Sequence, residues 1–162
     1  MDDNGTTESD NTPTSSSVLT CNDVGYLKFD KSSNCPVISD QLRMEMVKKG
    51  SQPFQHKDGP FIDKGGRSMN STWFTRRLAN GKGDVVNRTW LVYSPIKQAV
   101  YCFCCLLFSC TSSNSRSSFQ LPEGFSSWKK TEKVADHEGS LSHRQSFNTW
   151  KETELRLTKG IL

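Results

Sequence analysis

Two pairs of metal-binding side chains constrain this sequence more than any other feature. Cys102 and Cys105 are separated by two residues, and His137 and His143 are separated by five. The first spacing lets two sulfurs reach one ion from a tight turn, and the second lets two imidazoles reach it from the start of a helix. Two thiolates and two neutral imidazoles form a closed tetrahedral shell for Zn2+ and balance its charge. The sequence therefore predicts a structural zinc site formed by Cys102, Cys105, His137 and His143.

The other cysteines are predicted not to bind this ion. Cys104 lies between the first pair, and in an extended strand its side chain would point away from the ion. The alternative is that Cys104 replaces one of its two neighbours in the pair. Cys110 is also predicted not to be a ligand. Cys21 and Cys35 have no cysteine at metal-binding spacing, so they are interpreted as ordinary thiols rather than as a second metal site.

The start of the sequence predicts an intracellular protein. Met1–Asn4 is acidic and polar and is not followed by the apolar run of a secretory signal. No stretch approaches the roughly 18 apolar residues that a membrane helix needs. We therefore expect no membrane association, and we expect reduced, metal-binding cysteines rather than a disulfide framework.

Charge is distributed unevenly along the chain. Residues 1–20 contain four acidic residues and no basic ones, with almost nothing to bury, which predicts a disordered acidic tail. The remaining residues contain 21 basic and 13 acidic side chains. Such a basic body predicts a polyanionic partner, most simply nucleic acid, although ordinary surface charge is the alternative interpretation. Only 33% of the residues are hydrophobic, so we expect a small core that depends on a metal ion.

The pattern predicts a small zinc-stapled α+β domain behind a lead-in segment. The lead-in, residues 21–66, contains a short helix from Ser39–Asp40 to Gly50 and a loop rich in Pro and Gly over residues 51–66. The zinc domain, residues 67–158, is predicted to begin with a helix over residues 67–78. A β-hairpin over residues 90–103 follows. Two further helices are predicted, one from Ser126 or Ser127 to about residue 136 and one from His143 to residue 157.

Several short motifs occur in the order found in one known domain family. They are Arg67 with Trp73-Phe74, Arg88-x-Trp90-Leu91-x-Tyr93-Ser94, Val100-Tyr101-Cys102-Phe103-x-Cys105-x-Leu107-Phe108, Gly124-Phe125-x-x-Trp128-Lys129 and His137-x-x-Ser140-x-x-His143. With these residues the chain resembles the TTF-type zinc finger at the front of hAT-superfamily transposases and of proteins derived from them, including zinc-finger MYM-type relatives. The resemblance covers roughly residues 20–158. It implies a DNA-binding module that elsewhere precedes a transposase catalytic domain.

A zinc-dependent module that binds duplex DNA is therefore the leading functional hypothesis. Lys and Arg side chains would neutralise backbone phosphates. The predicted phosphate contacts are Arg67, Arg76, Arg77, Lys82, Arg88, Lys129, Lys130 and Lys133. The exposed face of the last helix carries Arg144, Gln145 and Asn148, residue types that contact guanine and adenine edges. The same residue types also occur on any solvated helix face.

Two other classes of function are weighed against DNA binding. In the first, zinc is only a structural staple and the domain binds proteins through exposed aromatic side chains drawn from Trp73, Trp90, Trp128 and Trp150. The second, a hydrolytic zinc enzyme, is disfavoured because a closed shell leaves no position for water and no HExxH motif is present. The hAT catalytic region has no room after Leu162. We therefore expect a nuclear, non-enzymatic, transposase-derived protein.

Overall fold

Six helices and two small antiparallel hairpins form the α+β fold of the described residues, 15–109 and 117–160 of a computed structural model. The helices are α1 Ser15–Cys21, α2 Asp40–Lys49, α3 Gln52–Gln55, α4 Phe103–Phe108, α5 Glu132–Glu138 and α6 Leu141–Thr158. The first hairpin pairs β1 Thr75–Arg77 with β2 Val85–Asn87, and the second pairs β3 Leu91–Ser94 with β4 Ala99–Cys102. The predicted fold class is confirmed. Within these residues, no helix has the length and apolar character required to cross a membrane.

The β3–β4 hairpin lies at the centre of the core and confirms the predicted hairpin. Every residue of both strands is buried, because the hairpin is covered on both faces. Neighbouring segments form hydrogen bonds with backbone groups at the outer edges of the two strands. On β4, Val100 and Phe125 exchange two hydrogen bonds of 2.9 Å, and on β3 the Gln55 amide donates to the carbonyl of Leu91. Gly124 precedes Phe125, and a Cβ there would lie 2.7 Å from the Tyr101 ring. Only glycine lets this segment approach the strand so closely.

The turn of this hairpin is held by a buried carboxylate from the lead-in segment. Asp23 accepts hydrogen bonds from the backbone N–H of Gly25 at 2.8 Å, from the backbone N–H of Ile96 at 2.9 Å and from the Ser94 hydroxyl. A Cβ on Gly25 would lie 2.2 Å from Ser94 Oγ, so no larger residue fits. The lead-in segment is therefore part of the same core as the hairpin.

Helices α2 and α6 follow the sequence prediction closely. Ser39 caps α2 by accepting from the Leu42 N–H at 3.1 Å, and Gly50 ends the helix with φ +82°. Leu42 and Met46 face the core. Helix α6 buries His143 and Trp150 on one stripe and places polar residues on the opposite face, as its 3.6-residue period predicts.

Four predicted elements differ from the structure. The predicted loop over residues 51–66 begins with a short helix, α3, with Pro53 in its first turn. Residues 67–78 do not form a helix: a 3-10 turn over Ser71–Phe74 leads into strand β1, whose pairing with the valines of β2 prevails over the helical spacing of the apolar residues. Helix α5 begins at Glu132, later than predicted. The last residues of the predicted tail form α1, because Val18 is buried in the core. The rest of that tail, residues 1–14, and Cys110 lie outside the described residues.

Candidate metal centre

Three sulfurs converge where strand β4 becomes helix α4. Cys102 ends the strand, and Cys104 and Cys105 lie in the first turn of the helix. The sulfurs of Cys102 and Cys104 lie 3.5 Å apart. The expectation that Cys104 points away is wrong, because the strand ends one residue earlier and helical geometry turns its side chain toward the other two. The sequence Phe103-Cys104-Cys105-Leu106-Leu107-Phe108 is a continuous apolar run, which does not distinguish a buried strand from a buried helix.

His143 completes this group from the first turn of α6. Its Nδ1 atom lies 3.3 Å from the sulfur of Cys102 and 3.9 Å from those of Cys104 and Cys105. The four ligand atoms all lie within 4.8 Å of one another. The structure therefore contains a Cys3His group, which brings together three of the four residues predicted from sequence.

His137, the fourth predicted residue, lies beside the group at the end of α5. Its Nε2 atom is 3.6 Å from the sulfur of Cys105. Ser140 links the two histidines: its hydroxyl donates to the His137 carbonyl at 2.8 Å and accepts from the His143 N–H at 3.2 Å. The site thus offers five donor atoms for the four positions of a tetrahedral ion.

The donor set fits zinc in both spacing and chemistry. With Zn–S bonds of about 2.3 Å and Zn–N bonds of about 2.0 Å, tetrahedral geometry places two sulfurs about 3.8 Å apart and a sulfur and a nitrogen about 3.5 Å apart. The Cys102–Cys104 sulfur distance of 3.5 Å and the sulfur–nitrogen distances of 3.3–3.9 Å lie near these values, and no two atoms of the Cys3His group are more than 4.8 Å apart. All three cysteines and both histidines are buried. A buried set of thiols and imidazoles without a carboxylate is typical of a structural zinc site.

Burial makes two of these thiols poor ligands until an ion binds. Desolvation raises the pKa of Cys102 and of Cys104 well above the ordinary thiol value. Hydrogen bonds from Cys102 and Cys104 lower the pKa of Cys105, which favours a thiolate there. Because a metal requires thiolates, its binding must displace the remaining protons.

Aromatic rings pack against the two histidines. The Trp90 ring lies 4.7 Å from the ring of His143 and 5.3 Å from that of His137, measured between centroids. Phe119 stacks on His137 at 4.8 Å. The indole N–H of Trp90 donates to Glu138 at 2.8 Å, which fixes the orientation of the Trp90 ring. Sequence analysis did not identify Trp90 and Glu138 as supports of the metal centre.

Glu138 also binds two of the predicted DNA-contacting arginines. Arg88 Nε lies 3.3 Å from one carboxylate oxygen, and Arg76 Nε lies 3.5 Å from the other. Arg88 donates further to the carbonyls of Trp73 and Thr75. Only 12% of the Arg88 side chain is exposed. The structure therefore places Arg88 in a network of internal bonds, whereas the sequence predicted only a phosphate contact.

Two grooves contain most of the other residues predicted to contact DNA. Arg67, Lys129 and Lys130 line one groove, and Arg76, Arg144 and Asn148 line another of about 470 Å3 that also borders His143. The exposed side chains of the remaining predicted contacts line neither groove; they are Arg77, Lys82, Lys133 and Gln145.

The tryptophans do not form an interaction surface. Trp73, Trp90, Trp128 and Trp150 are all at least nine-tenths buried. The prediction of an exposed tryptophan patch, on which the protein-interaction alternative relied, is therefore wrong.

The cysteines outside the site also differ from one another. Cys21 is an exposed free thiol, as predicted. Cys35 is disulfide-bonded, so its interpretation as an ordinary thiol is wrong. Neither residue belongs to the group of four ligand atoms.

Part of the chain is similar to known zinc-finger proteins. It is 32% identical over 82 residues to zinc finger MYM-type protein 5 of Homo sapiens and of Macaca fascicularis, covering 50% of this chain and 11% of each relative. With the Mus musculus protein of the same name it shares 30% over 86 residues, 53% of this chain and 13% of that protein. The matches therefore span only about a tenth of the curated relatives. No protein-family model and no solved structure matches the sequence.

These similarities and the geometry support the same coarse conclusion. The relatives are zinc-finger proteins by name, and the buried Cys3His group has the ligands that zinc prefers. The geometry and the similarities therefore support a zinc-binding module, and about half of the chain is similar to zinc finger MYM-type protein 5.

Proposed function

We propose that this protein is a zinc-dependent module that binds duplex DNA. The observation that carries the proposal is the groove beside the metal centre, which joins Arg76 of strand β1 to Arg144 and Asn148 of helix α6. These residues are far apart in sequence and belong to types that recognise phosphates and base edges. The metal centre supports the arrangement because His143 lies one residue before Arg144.

Zinc supplies structure rather than chemistry in this proposal. Cys102, Cys104, Cys105 and His143 would hold the ion, with His137 as a further donor, and protein ligands would fill its coordination shell. A closed, buried site has no position for a reacting water, so we propose a non-enzymatic role.

The cellular setting follows from the same proposal. A DNA-binding module would act in the nucleus, and the basic body of the chain is consistent with a polyanionic partner. Descent from a hAT transposase, with a TTF-type finger, stays a prediction based on the motif resemblance.

A salt titration of the whole zinc-loaded chain tests the proposal. Affinity for duplex DNA should fall linearly with the logarithm of salt concentration, with a slope of about −0.9 per phosphate contact. Arg144→Ala combined with Asn148→Ala should weaken binding to a preferred sequence about tenfold or more and reduce sequence discrimination, because each lost base contact costs about 1–3 kcal/mol.

Two controls make the result interpretable. Lys28→Ala combined with Lys31→Ala removes exposed cations away from the groove and should affect binding much less. Zinc content and circular dichroism must stay unchanged in each variant. Absence of duplex binding at low salt would contradict the proposal and favour a protein partner.

A further inference from the structure

We propose that a second groove, between the Lys64–Arg67 turn and residues 126–130, binds a phosphate group of the nucleic-acid backbone. The inference rests on the proposed function, because it assigns a subsite to the same DNA partner. Lys64 was not among the residues predicted to contact DNA. The groove has a volume of about 290 Å3, which is ample for a phosphate and its first water molecules.

One wall of the groove is a tight turn with two cations at its ends. The Lys64 N–H donates to the Arg67 carbonyl at 2.7 Å, and the reverse bond measures 3.2 Å. Gly65 and Gly66 have φ values of +62° and +85°, the backbone that a two-residue hairpin turn requires. Asp63 accepts from the Gly66 N–H at 2.8 Å and closes the turn. The backbone that carries Lys64 and Arg67 is therefore fixed.

The opposite wall is anchored to the core by a tryptophan. Trp128 is only 8% exposed, and its ring packs edge-on against Trp73 with the centroids 5.4 Å apart. Backbone bonds from Trp128 to Ser126 and from Lys130 to Ser127 hold this segment in a turn. Lys129 and Lys130 follow Trp128 and are exposed.

The charge of the groove favours an anion. Four cations line it, Lys64, Arg67, Lys129 and Lys130, and its lining contains no acidic residue. Among the described residues, none of these four side chains forms an ion pair. The groove beside the metal centre differs, because Glu138 lines it and pairs with Arg76. The cations of the second groove are therefore available to neutralise a phosphate.

The side chains of the groove also suit a phosphate. Lysine ammonium groups donate charge-assisted hydrogen bonds to phosphate oxygens. Arg67 can in addition bind two phosphate oxygens at once, which lysine cannot do. The groove thus combines fixed walls with four cations that form no ion pair within the described part of the chain.

The first measurement is a salt titration of duplex binding by the whole zinc-loaded chain. In Lys64→Gln combined with Arg67→Gln, the slope of log affinity against log salt should become shallower by about 1 for the lost phosphate. Lys28→Gln combined with Lys31→Gln removes the same charge from exposed positions that do not line the groove, and it should leave the slope unchanged. An unchanged slope in the groove variant, with the native chain binding DNA, would overturn the proposal.

The second measurement separates this proposal from the proposed function. Inorganic phosphate is titrated into the native chain while the indole N–H resonances are followed by NMR. The Trp128 signal should shift, and the Trp90 signal, bonded to Glu138, should not. The Trp128 shift should disappear in the groove variant. A Trp128 shift in a chain that does not bind duplex DNA would support a phosphate site but refute nucleic acid as its ligand. If phosphate does not shift the Trp128 signal, the proposed site is wrong.

Discussion

The two ends of the β3–β4 hairpin are held by different chemistry. At the turn, the carboxylate of Asp23 accepts hydrogen bonds from Gly25, Ser94 and Ile96, all supplied by the chain itself. At the open end, Cys102 leads into a cluster of sulfurs and imidazoles that needs an ion to neutralise and connect it. The hydrogen bonds at the turn end form when the chain folds, whereas the ligand cluster at the open end also needs a bound ion.

The two ends therefore contribute to the free energy of folding through different interactions. The turn end joins the lead-in segment to the hairpin through a buried, fully bonded carboxylate, whose strength depends on local geometry. The open end joins the hairpin to α4, α5 and α6, and its binding free energy becomes folding free energy. Metal supply should therefore affect the helices that carry the proposed DNA-binding surface more than it affects the lead-in segment.

Removal of the metal should have the largest effect. Chelation at neutral pH should lower the free energy of unfolding by on the order of 10 kcal/mol, as in other small zinc modules. In hydrogen-exchange measurements, the amides of α4 and α6 should lose protection first, and those of Gly25 and Ile96 should lose it later. Retained protection of α6 in chelator would contradict the claim that the open end of the hairpin depends on the metal. Cys102→Ser should reproduce the effect of chelation.

Replacement of single thiols should distinguish the roles of the five donors. Cys105 lies within 3.9 Å of both histidine nitrogens, so Cys105→Ser should abolish tight binding. Cys104→Ser should retain one metal per chain, because His137 can take the fourth position. Cobalt(II) absorption is the measurement: Cys104→Ser should keep tetrahedral d–d bands and lose part of the thiolate charge-transfer band. Equal loss of metal in both variants would show that all three thiols are required.

Loss of the carboxylate at the turn end should have an intermediate effect. Asp23→Ala leaves three donors without their acceptor and should lower the free energy of unfolding of the zinc-loaded chain by about 3 kcal/mol. Urea denaturation measures this change, and the zinc content should remain one ion per chain. Asp30→Ala, which removes an exposed carboxylate, is the matched control and should change stability much less. A loss of zinc in Asp23→Ala would show that the two ends are not independent.

The smallest expected effect is at the residue that links the two histidines. Ser140→Ala removes the cap of α6 and the bond to the His137 carbonyl, and it should cost about 1 kcal/mol. Competition with a zinc-binding dye should show a correspondingly weaker affinity, by several-fold. Ser142→Ala, an exposed serine in the same turn, is the control and should leave affinity unchanged. Identical affinities for both variants would refute a linking role for Ser140.

Spacing within short segments predicted part of this site. The intervals between cysteines and between histidines led to three members of the Cys3His group, because those intervals depend on local geometry alone. The position of Cys104 could not be predicted, since it depends on the residue at which β4 becomes α4. The i,i+4 spacing of Met69 with Trp73 and of Phe74 with Leu78 was misleading, because pairing with β2 is a long-range interaction. The phosphate groove joins residues 64–67 to residues 126–130, and no sequence interval indicates that contact.

One consequence lies in the position of Glu138, which directly follows His137. Its carboxylate holds Arg76 and Arg88, so a displacement of His137 is transmitted to strand β1. One carboxylate therefore couples the end of α5, where His137 lies, to the strand that carries Arg76.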